Sequence, residues 1–252
     1  MIPYIEWHTF RIFGVTFQVW GMFVAVAFIV ATAIAARRAK TQGLNPRHVW
    51  DVAVWVFMAA FIGARLVHVM FYEPAFALAH PWSIIDPRLP GFAIYGGFIG
   101  AVVAFVWYIR RHKLDLLSYA DALAWGLPWG CGIGRIGCFL IHDHPGTLTS
   151  FVLGVKYPDG SVHHDLGLYL SLVGFVIGLI FLIFRRRHLP PGFFVAAFFV
   201  LDAMARLWLD FYRLADTRYA SLTPTQWISI PLILAGGYWL AGILRKPPHA
   251  SV

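Results

Sequence analysis

Charged residues are scarce in this sequence. Asp, Glu, Lys and Arg make up only 13% of its 252 residues, whereas a soluble domain carries about 25%. Hydrophobic residues account for 60% of the chain and the mean hydropathy is +0.69. No hydrophilic stretch is long enough to fold as a separate soluble domain. This composition excludes a soluble globular protein and predicts a single domain that crosses a membrane several times.

Cysteine is also scarce, with two residues in the whole chain. Cys131 and Cys138 are seven residues apart, so on one helix they share a face and lie about 10 Å apart along its axis. A disulfide requires Cα atoms within about 7 Å of each other. Both cysteines are therefore expected to be free thiols.

The N-terminal segment lacks the features of a cleaved signal peptide. The run MIPYIEWHTFRIF has no basic n-region and no A-x-A-like cleavage site. Its mixture of aromatic, aliphatic and charged residues instead predicts an amphipathic arm at the membrane interface.

Long apolar stretches are what the sequence does have. Windows of about twenty apolar residues predict seven transmembrane helices within one domain, residues 1–252. The windows are residues 16–36, 49–72, 92–109, 118–141, 166–184, 193–213 and 224–244. The expected fold is therefore an all-α polytopic membrane protein with short outer-face loops.

Basic residues between the windows predict the orientation. Most of them lie at one set of span ends: Arg37, Arg38, Lys40, Arg47, Arg110, Arg111, Lys113, Arg185, Arg186, Arg187, Arg245 and Lys246. The opposite ends carry Arg11, Arg88, Lys156, Arg213 and Arg218. The positive-inside rule then places the N-terminus outside and the C-terminus in the cytoplasm. The net charge of +8 is explained by this bias and does not indicate nucleic-acid binding.

Three arginines lie inside predicted spans: Arg65, Arg135 and Arg206. A guanidinium in a bilayer costs at least about 2.5–3.5 kcal/mol, so it usually marks a functional site. Each lies in the second half of a span that runs from the cytoplasm outward, so all three are expected in the outer leaflet. The planar set of donors on an arginine suits a phosphate. Two alternatives remain: ion pairs with Asp202 and Asp210 for Arg206, and snorkelling to the interface for Arg65.

Glycines recur every four residues near these arginines. Gly126, Gly130 and Gly134 form one stripe, and Gly96 and Gly100 form another. Such stripes let helices pack closely in a membrane. Gly134 and Gly137 bracket Arg135, and the alternative to packing is that they make room for a lipid headgroup.

Several segments resemble the bacterial phosphatidylglycerol–prolipoprotein diacylglyceryl transferase family. The run YADALAWGLPWGCGIGRIGCF, residues 119–139, is similar to the family's signature region, which includes G-R-x-G-N-F. Further similar segments follow the family's order: GARL (63–66) leading to Phe71-Tyr72, GGFIG (96–100), Arg206-x3-Asp210-x2-Arg213 and LTPTQWISIP (222–231). The resemblance spans most of the chain.

The resemblance implies a reaction and its partners. Such enzymes transfer the diacylglyceryl group of phosphatidylglycerol to the lipobox cysteine thiol of a prolipoprotein at the outer leaflet of the bacterial cytoplasmic (inner) membrane, and they need no metal or other cofactor. Arg135 and Arg206 match the family's essential arginines, while Asp210 matches a glutamate that would orient Arg206. The other matched positions expected to contact substrate are Arg65, Gly96, Gly97, Gly134, Gly137, Cys138 and Arg213.

The chain departs from the family at polar positions. Tyr95 replaces a histidine before Gly-Gly, Cys138 replaces the asparagine of the G-R-x-G-N motif, and Ile141 replaces a second asparagine. Asp143 replaces a glutamate, and Leu170 lies in a segment that lacks most of the polar residues of the corresponding family segment. The arginines of the expected phosphate site are kept, whereas several of its hydrogen-bonding partners are not.

A histidine cluster after Arg135 offers a replacement for the missing base. In His142-Asp143-His144, a histidine beside a carboxylate is suited to accept the thiol proton. The catalytic set expected from sequence is thus Arg135, Arg206, His142, Asp143, His144 and Tyr95. Two other interpretations are a loop of interfacial histidines and a metal site that adds His163 and His164.

Three functions remain open from sequence. The first is the lipid-dependent transferase. The second is a related membrane transferase with another donor or acceptor, which Tyr95 and Cys138 favour. The third is a non-enzymatic phospholipid-binding or transport protein. Transport predicts polar residues in both leaflets, whereas the intramembrane arginines are expected in the outer leaflet only.

Overall fold

Seven long helices make up most of the described structure. The computed structural model describes residues 1–72, 93–187, 189–214 and 218–245. The helices are α1 (Val19–Thr41), α2 (Pro46–Tyr72), α3 (Ile94–Arg111), α4 (Leu116–Ile141), α5 (Leu166–Ile183), α6 (Phe193–Leu209) and α7 (Pro224–Arg245). Every predicted span coincides with one of them, which confirms the mostly helical fold.

Among the described residues, four helices are long and apolar enough to cross a membrane, judged by length and composition: α1, α2 as far as Phe71, α5 and α7. The chain is therefore a membrane protein by its apolar helices. The count of seven spans and the orientation stay predictions. Arg88 and Lys246, on which the orientation argument drew, lie outside the described residues.

The sixth helix ends earlier than the sequence predicted. Helix α6 stops at Leu209, and a 3-10 turn, Asp210–Tyr212, follows it. Arg213 is then extended, with φ −76° and ψ 130°. The Asp210 carboxylate accepts a hydrogen bond from the Thr223 hydroxyl at 2.7 Å. The chain therefore turns toward the start of α7 instead of continuing as a helix to residue 213.

One compact unit comprises residues 39–119 and contains α2 and α3. A Cβ atom on Gly100 would collide with the Ala59 carbonyl oxygen, and one on Gly96 would collide with the Gly63 carbonyl oxygen. The two helices approach backbone to backbone because these positions lack side chains. This confirms the close packing predicted for the Gly96 and Gly100 stripe.

The second unit comprises residues 1–38 and 120–252. Its glycine stripe on α4 packs against α1: a Cβ on Gly126 would collide with the Ala31 carbonyl oxygen, and one on Gly130 would lie 2.9 Å from the Ala31 Cβ. Trp125, Phe181 and Phe194 pack together from α4, α5 and α6. Helix α4 is thus held between α1 on one face and an aromatic core on another.

Short strands cover the end of α4. They are β1 (Ile2–Pro3), β2 (Thr9–Ile12), β3 (Val15–Gln18), β4 (Pro145–Leu148), β5 (Val155–Lys156) and β6 (Val162–Asp165). The first sheet has the order β1-β5-β6-β4, and β2 and β3 form a separate antiparallel hairpin. Strands β5 and β6 form a hairpin whose turn contains Pro158-Asp159-Gly160, with Gly160 at φ +86°.

Candidate functional site

Two of the three arginines that lie inside predicted spans belong to the second unit. Arg135 lies on α4 and Arg206 lies on α6. The thiol of Cys131, one turn before Arg135, interacts electrostatically with both guanidinium groups and with the Asp202 carboxylate. Two guanidinium groups from different helices therefore exert their charge on the same thiol.

Arg206 forms the intrahelical ion pair that the sequence allowed. Its Nε donates to the Asp202 Oδ2 at 2.6 Å, and about a quarter of the Arg206 side chain is exposed. Asp202 occupies the Nε side of the guanidinium. The two terminal amino groups of an arginine can still bind phosphate oxygens.

Asp210, which the resemblance predicted to orient Arg206, makes its direct contacts elsewhere. Asp210 is 1% exposed, accepts from the Thr223 hydroxyl, and lies 3.6 Å from the Arg213 Nε. It reaches Arg206 only through a weaker, longer-range interaction. The 3-10 turn directs Asp210 toward α7, so Asp202 is the carboxylate that fixes Arg206.

Cys138, the residue that departs from the resembled G-R-x-G-N motif, lies beside Arg135. The Arg135 Nη1 donates to the Cys138 sulfur at 3.8 Å, and the thiol also interacts with the Trp20 side chain from α1. A sulfur is a weak acceptor. Cys138 therefore positions the guanidinium less firmly than an amide oxygen does. Cys131 and Cys138 are both free thiols, as expected.

The glycines that flank Arg135 contact α1. A Cβ on Gly137 would lie 2.9 Å from the Phe23 Cβ, whereas one on Gly134 would meet the Ala27 Cβ at 3.7 Å, an ordinary van der Waals distance. Close packing thus explains Gly137 and brings Trp20 beside Cys138. Gly134 has space for a side chain.

Arg65 lies in the other unit, on α2, and is 4% exposed. Such burial disfavours the snorkelling alternative. Gly96 and Gly97 begin α3 and pack on α2, with a Cβ on Gly97 3.6 Å from the Ala64 Cβ. The backbone of Tyr95 lies in the first turn of α3, and its side chain lies outside the described part of the structure.

The two histidines proposed as bases differ in their surroundings. The His142 Nδ1 lies 2.9 Å from the Asp165 Oδ2, its Nε2 lies 3.2 Å from the Ile5 carbonyl oxygen, and its ring stacks on Tyr4 with centroids 4.3 Å apart. A carbonyl oxygen only accepts, so Nε2 must donate to it. Both ring nitrogens are occupied and the side chain is buried. This geometry favours a structural role for His142 over the predicted role of general base.

His144 is more accessible. Its Nδ1 lies 3.0 Å from the Asp143 Oδ1, and the two side chains are 29% and 31% exposed. Asp143 therefore pairs with His144, whereas His142 pairs with Asp165. An imidazole oriented by a carboxylate on one nitrogen can accept a proton on the other.

His163 and His164 point to other partners. His163 contacts the Gly146 carbonyl oxygen and the Ser161 hydroxyl, and the His164 Nδ1 lies 2.8 Å from the Tyr169 hydroxyl. Burial lowers the pKa of His164 from its ordinary value. Among the described residues, no group of three or more His, Cys, Asp or Glu is arranged to hold a metal ion.

Two helix caps in this unit were not predicted from the sequence. Asp165 caps α5 by accepting from the Leu168 N–H at 2.9 Å while it also holds His142. Thr223 and Gln226 form a reciprocal cap of α7, at 2.9 and 3.1 Å. An acidic residue before an apolar run and the pattern T-x-x-Q were signals for both caps.

The family model and the similar proteins found by comparison all carry the same description. The family model described as prolipoprotein diacylglyceryl transferase matches residues 8–241. Three similar proteins are each named phosphatidylglycerol–prolipoprotein diacylglyceryl transferase. The one from Roseobacter denitrificans is 30% identical over 231 residues, covering 80% of this chain and 77% of that protein. The one from Geobacter sulfurreducens is 29% identical, covering 93% and 94%, and the one from Aeromonas salmonicida is 28% identical, covering 90% and 86%.

Proposed function

The chain belongs to the prolipoprotein diacylglyceryl transferase family, and we propose that it transfers the diacylglyceryl group of phosphatidylglycerol to the cysteine thiol of a prolipoprotein lipobox. The observation that carries this proposal is that the Arg135 and Arg206 guanidinium groups, on different helices, both interact electrostatically with the Cys131 thiol. Two guanidinium groups from different helices supply a phosphate site that one helix alone does not provide.

The proposed setting is the bacterial cytoplasmic membrane. Seven spans, with the N-terminus outside and the C-terminus in the cytoplasm, place Arg135 and Arg206 in the outer leaflet. This arrangement is supported by the coincidence of all seven apolar windows with helices. Phosphatidylglycerol would enter from the surrounding lipid, and the prolipoprotein would present its signal-peptide segment from the outer side.

The reaction requires one bond to form and one to break. The lipobox sulfur attacks the glyceryl carbon that carries the phosphate, a C–S bond forms, the C–O bond breaks, and glycerol phosphate leaves. Arg135 and Arg206 stabilise the charge that develops on the leaving phosphate. Asp202 keeps Arg206 in position through its Nε.

His144 is the base that we assign for the acceptor thiol. It takes the thiol proton while Asp143, 3.0 Å from its other ring nitrogen, stabilises the imidazolium that results. His144→Ala should lower kcat and remove the acidic limb of the pH–rate profile. His142→Ala should lower thermal stability instead. A His144→Ala variant with full activity and an unshifted profile would show that the base lies elsewhere.

The activity is tested in a cell depleted of its own transferase. Expression of this chain should restore the mobility shift of a lipoprotein, whereas Arg135→Ala at matched expression should not. A reconstituted assay then separates the alternatives. Transfer should require phosphatidylglycerol and a lipobox cysteine, and it should fail when phosphatidylethanolamine or a Cys→Ser acceptor is supplied. Transfer with either substitute would identify a related transferase, and lipid binding without any transfer would identify a phospholipid-binding protein.

A further inference from the structure

The hairpin formed by β2 and β3 has one apolar and one polar face. Residues that oppose each other in an antiparallel pair point to the same side, and the register pairs Phe10 with Phe17 and Ile12 with Val15. The apolar face therefore consists of Phe10, Ile12, Val15 and Phe17. The polar face consists of Thr9, Arg11, Thr16 and Gln18. Two contacts agree with this assignment: the Phe10 and Phe17 rings stack 5.5 Å apart, and the Arg11 Nε donates to the Thr16 hydroxyl.

The apolar face is uncovered. Ile12, Val15 and Phe17 are 48%, 55% and 45% exposed, and Phe13 at the turn is fully exposed. Phe13 has φ +51°, in the left-handed region that bulky residues rarely adopt. In water, this cluster would lose the free energy that burial of its aliphatic and aromatic side chains provides.

The position of the hairpin identifies what covers it. Strand β3 ends at Gln18, and α1, one of the helices able to cross a membrane, begins at Val19. The Val19 N–H donates to the His8 carbonyl oxygen at 2.9 Å, which fixes the base of the hairpin to the start of this helix. Trp7, which packs near Phe10, adds an aromatic residue of the kind enriched at membrane interfaces. An uncovered apolar face at the entry point of a membrane helix faces lipid.

We propose that the β2–β3 hairpin lies at the outer surface of the cytoplasmic membrane, in the lipid–water interface. Phe13 and the apolar face contact the acyl chains, and Arg11 points toward phosphate and water. The partner is a lipid surface. No transferase activity is needed for this placement.

The segment just before the hairpin contacts the end of the helix that carries Arg135. The Trp7 N–H donates to the Leu140 carbonyl oxygen at 2.8 Å, and the Ile5 carbonyl oxygen and the Tyr4 ring hold His142. Leu140 and His142 lie at the end of α4, five and seven residues after Arg135, which is about 8–10 Å along the axis. The depth of the hairpin therefore sets the depth of Arg135 relative to lipid phosphates. This consequence rests on the proposed function.

The placement is tested on the full-length protein in phosphatidylcholine–phosphatidylglycerol vesicles. A thiol-reactive fluorophore is attached to Phe13→Cys or, as the matched control on the opposite face, to Thr16→Cys. The parent chain with Cys131 and Cys138 gives the background. Spin-labelled acyl chains should quench the fluorophore at position 13 at least about threefold more than that at position 16.

Three results would overturn the proposal. They are equal quenching at the two positions, quenching at position 13 that is lost when a lipobox peptide is added, and quenching at position 13 that falls as the protein concentration rises. The second would identify a peptide-docking face and the third a contact between copies of the chain. Quenching requires no turnover, so its outcome is separate from that of the transferase assay.

The coupling to Arg135 has its own measurement. Phe13→Asp should raise KM for phosphatidylglycerol in vesicles several-fold with little change in kcat, while Thr16→Asp should leave both unchanged. Phe13 is fully exposed, so its replacement removes no internal contact. An unchanged KM in an active Phe13→Asp protein would show that the hairpin does not set the depth of Arg135.

Discussion

Arg135 is the residue on which the proposed chemistry depends most. Arg135→Ala should lower phosphatidylglycerol-dependent activity by roughly 100-fold or more, because it removes charge stabilisation of the leaving phosphate. Arg135→Lys should also fail, since an ammonium does not reproduce the planar pair of donors. Activity is measured in vesicles at matched protein amount. Near-normal turnover in the Ala variant would contradict the site assignment.

The contribution of the Cys138 acceptor to the position of Arg135 can be measured by replacing Cys138. The thiol is a weak acceptor for the Arg135 Nη1 at 3.8 Å. Cys138→Asn introduces the asparagine of the resembled G-R-x-G-N motif, whose amide oxygen is a stronger acceptor than a thiol. Its effect on KM for phosphatidylglycerol would report how much the acceptor contributes to the position of the guanidinium.

Asp202 and Asp210 should give different phenotypes. Asp202→Asn removes the charged partner of the Arg206 Nε, so it should lower kcat/KM with little change in melting temperature. Asp210→Ala leaves the buried Thr223 hydroxyl without its acceptor and should cost about 1–3 kcal/mol of stability. Both quantities are measured on the same detergent preparations. Loss of stability in the Asp202 variant with unchanged specific activity would show that Arg206–Asp202 is only a structural ion pair.

His164 should make stability depend on pH. Burial lowers the pKa of His164 below its ordinary value, so the unfolded chain binds a proton more readily than the folded protein does. Stability should therefore fall as the pH drops through about 6.5. Melting temperatures between pH 7.5 and 5.5 should decline less for His164→Gln than for the parent. Equal slopes in the two proteins would show that His164 does not cause the decline.

At the scale of elements, contact between α1 and α4 should be sensitive to one methyl group. A Cβ on Gly126 would collide with the Ala31 carbonyl oxygen, whereas a Cβ on Gly237 in α7 meets nothing within 4 Å. Gly126→Ala should destabilise the protein by about 1–3 kcal/mol, because rigid backbone must shift. Gly237→Ala, the control, should be neutral or slightly stabilising. A comparable thermal stability of the two variants would contradict the close packing of these helices.

The junction between α6 and α7 shows how short polar segments connect apolar helices. Thr223 caps α7 together with Gln226 and donates to Asp210, and the Gln226 Nε2 donates to the Leu207 carbonyl oxygen at 3.0 Å. All the polar groups in this set are paired at buried positions. The end of the helix that carries Arg206 is therefore fixed by the start of the next helix.

At the scale of the whole molecule, the distribution of basic residues predicts the orientation. A fluorescent protein fused to the C-terminus should be fluorescent, because it stays in the cytoplasm, whereas alkaline phosphatase fused there should be inactive. The same phosphatase inserted between Asp159 and Gly160, in the exposed turn between β5 and β6, should be active. The opposite pattern would place Arg135 and Arg206 in the inner leaflet and contradict the proposed reaction at the outer surface.

The sequence by itself determined the membrane class, the approximate helices and the positions of the arginines along them. Apolar windows and glycine spacing are properties of neighbouring residues, so they were readable without a fold. The turn before β6 was readable for the same reason, since Pro158-Asp159-Gly160 specifies a local conformation.

Only the tertiary structure decided which polar groups meet. Asp202 and Asp210 are both four residues from Arg206, so spacing alone did not distinguish them, and the 3-10 turn at Asp210 did. His142 appeared equivalent to His144 until Asp165 and Ile5, distant in sequence, occupied both of its ring nitrogens. Local patterns select elements because they act over a few residues. Partners of buried charges depend on how those elements pack, and no spacing in the sequence encodes that.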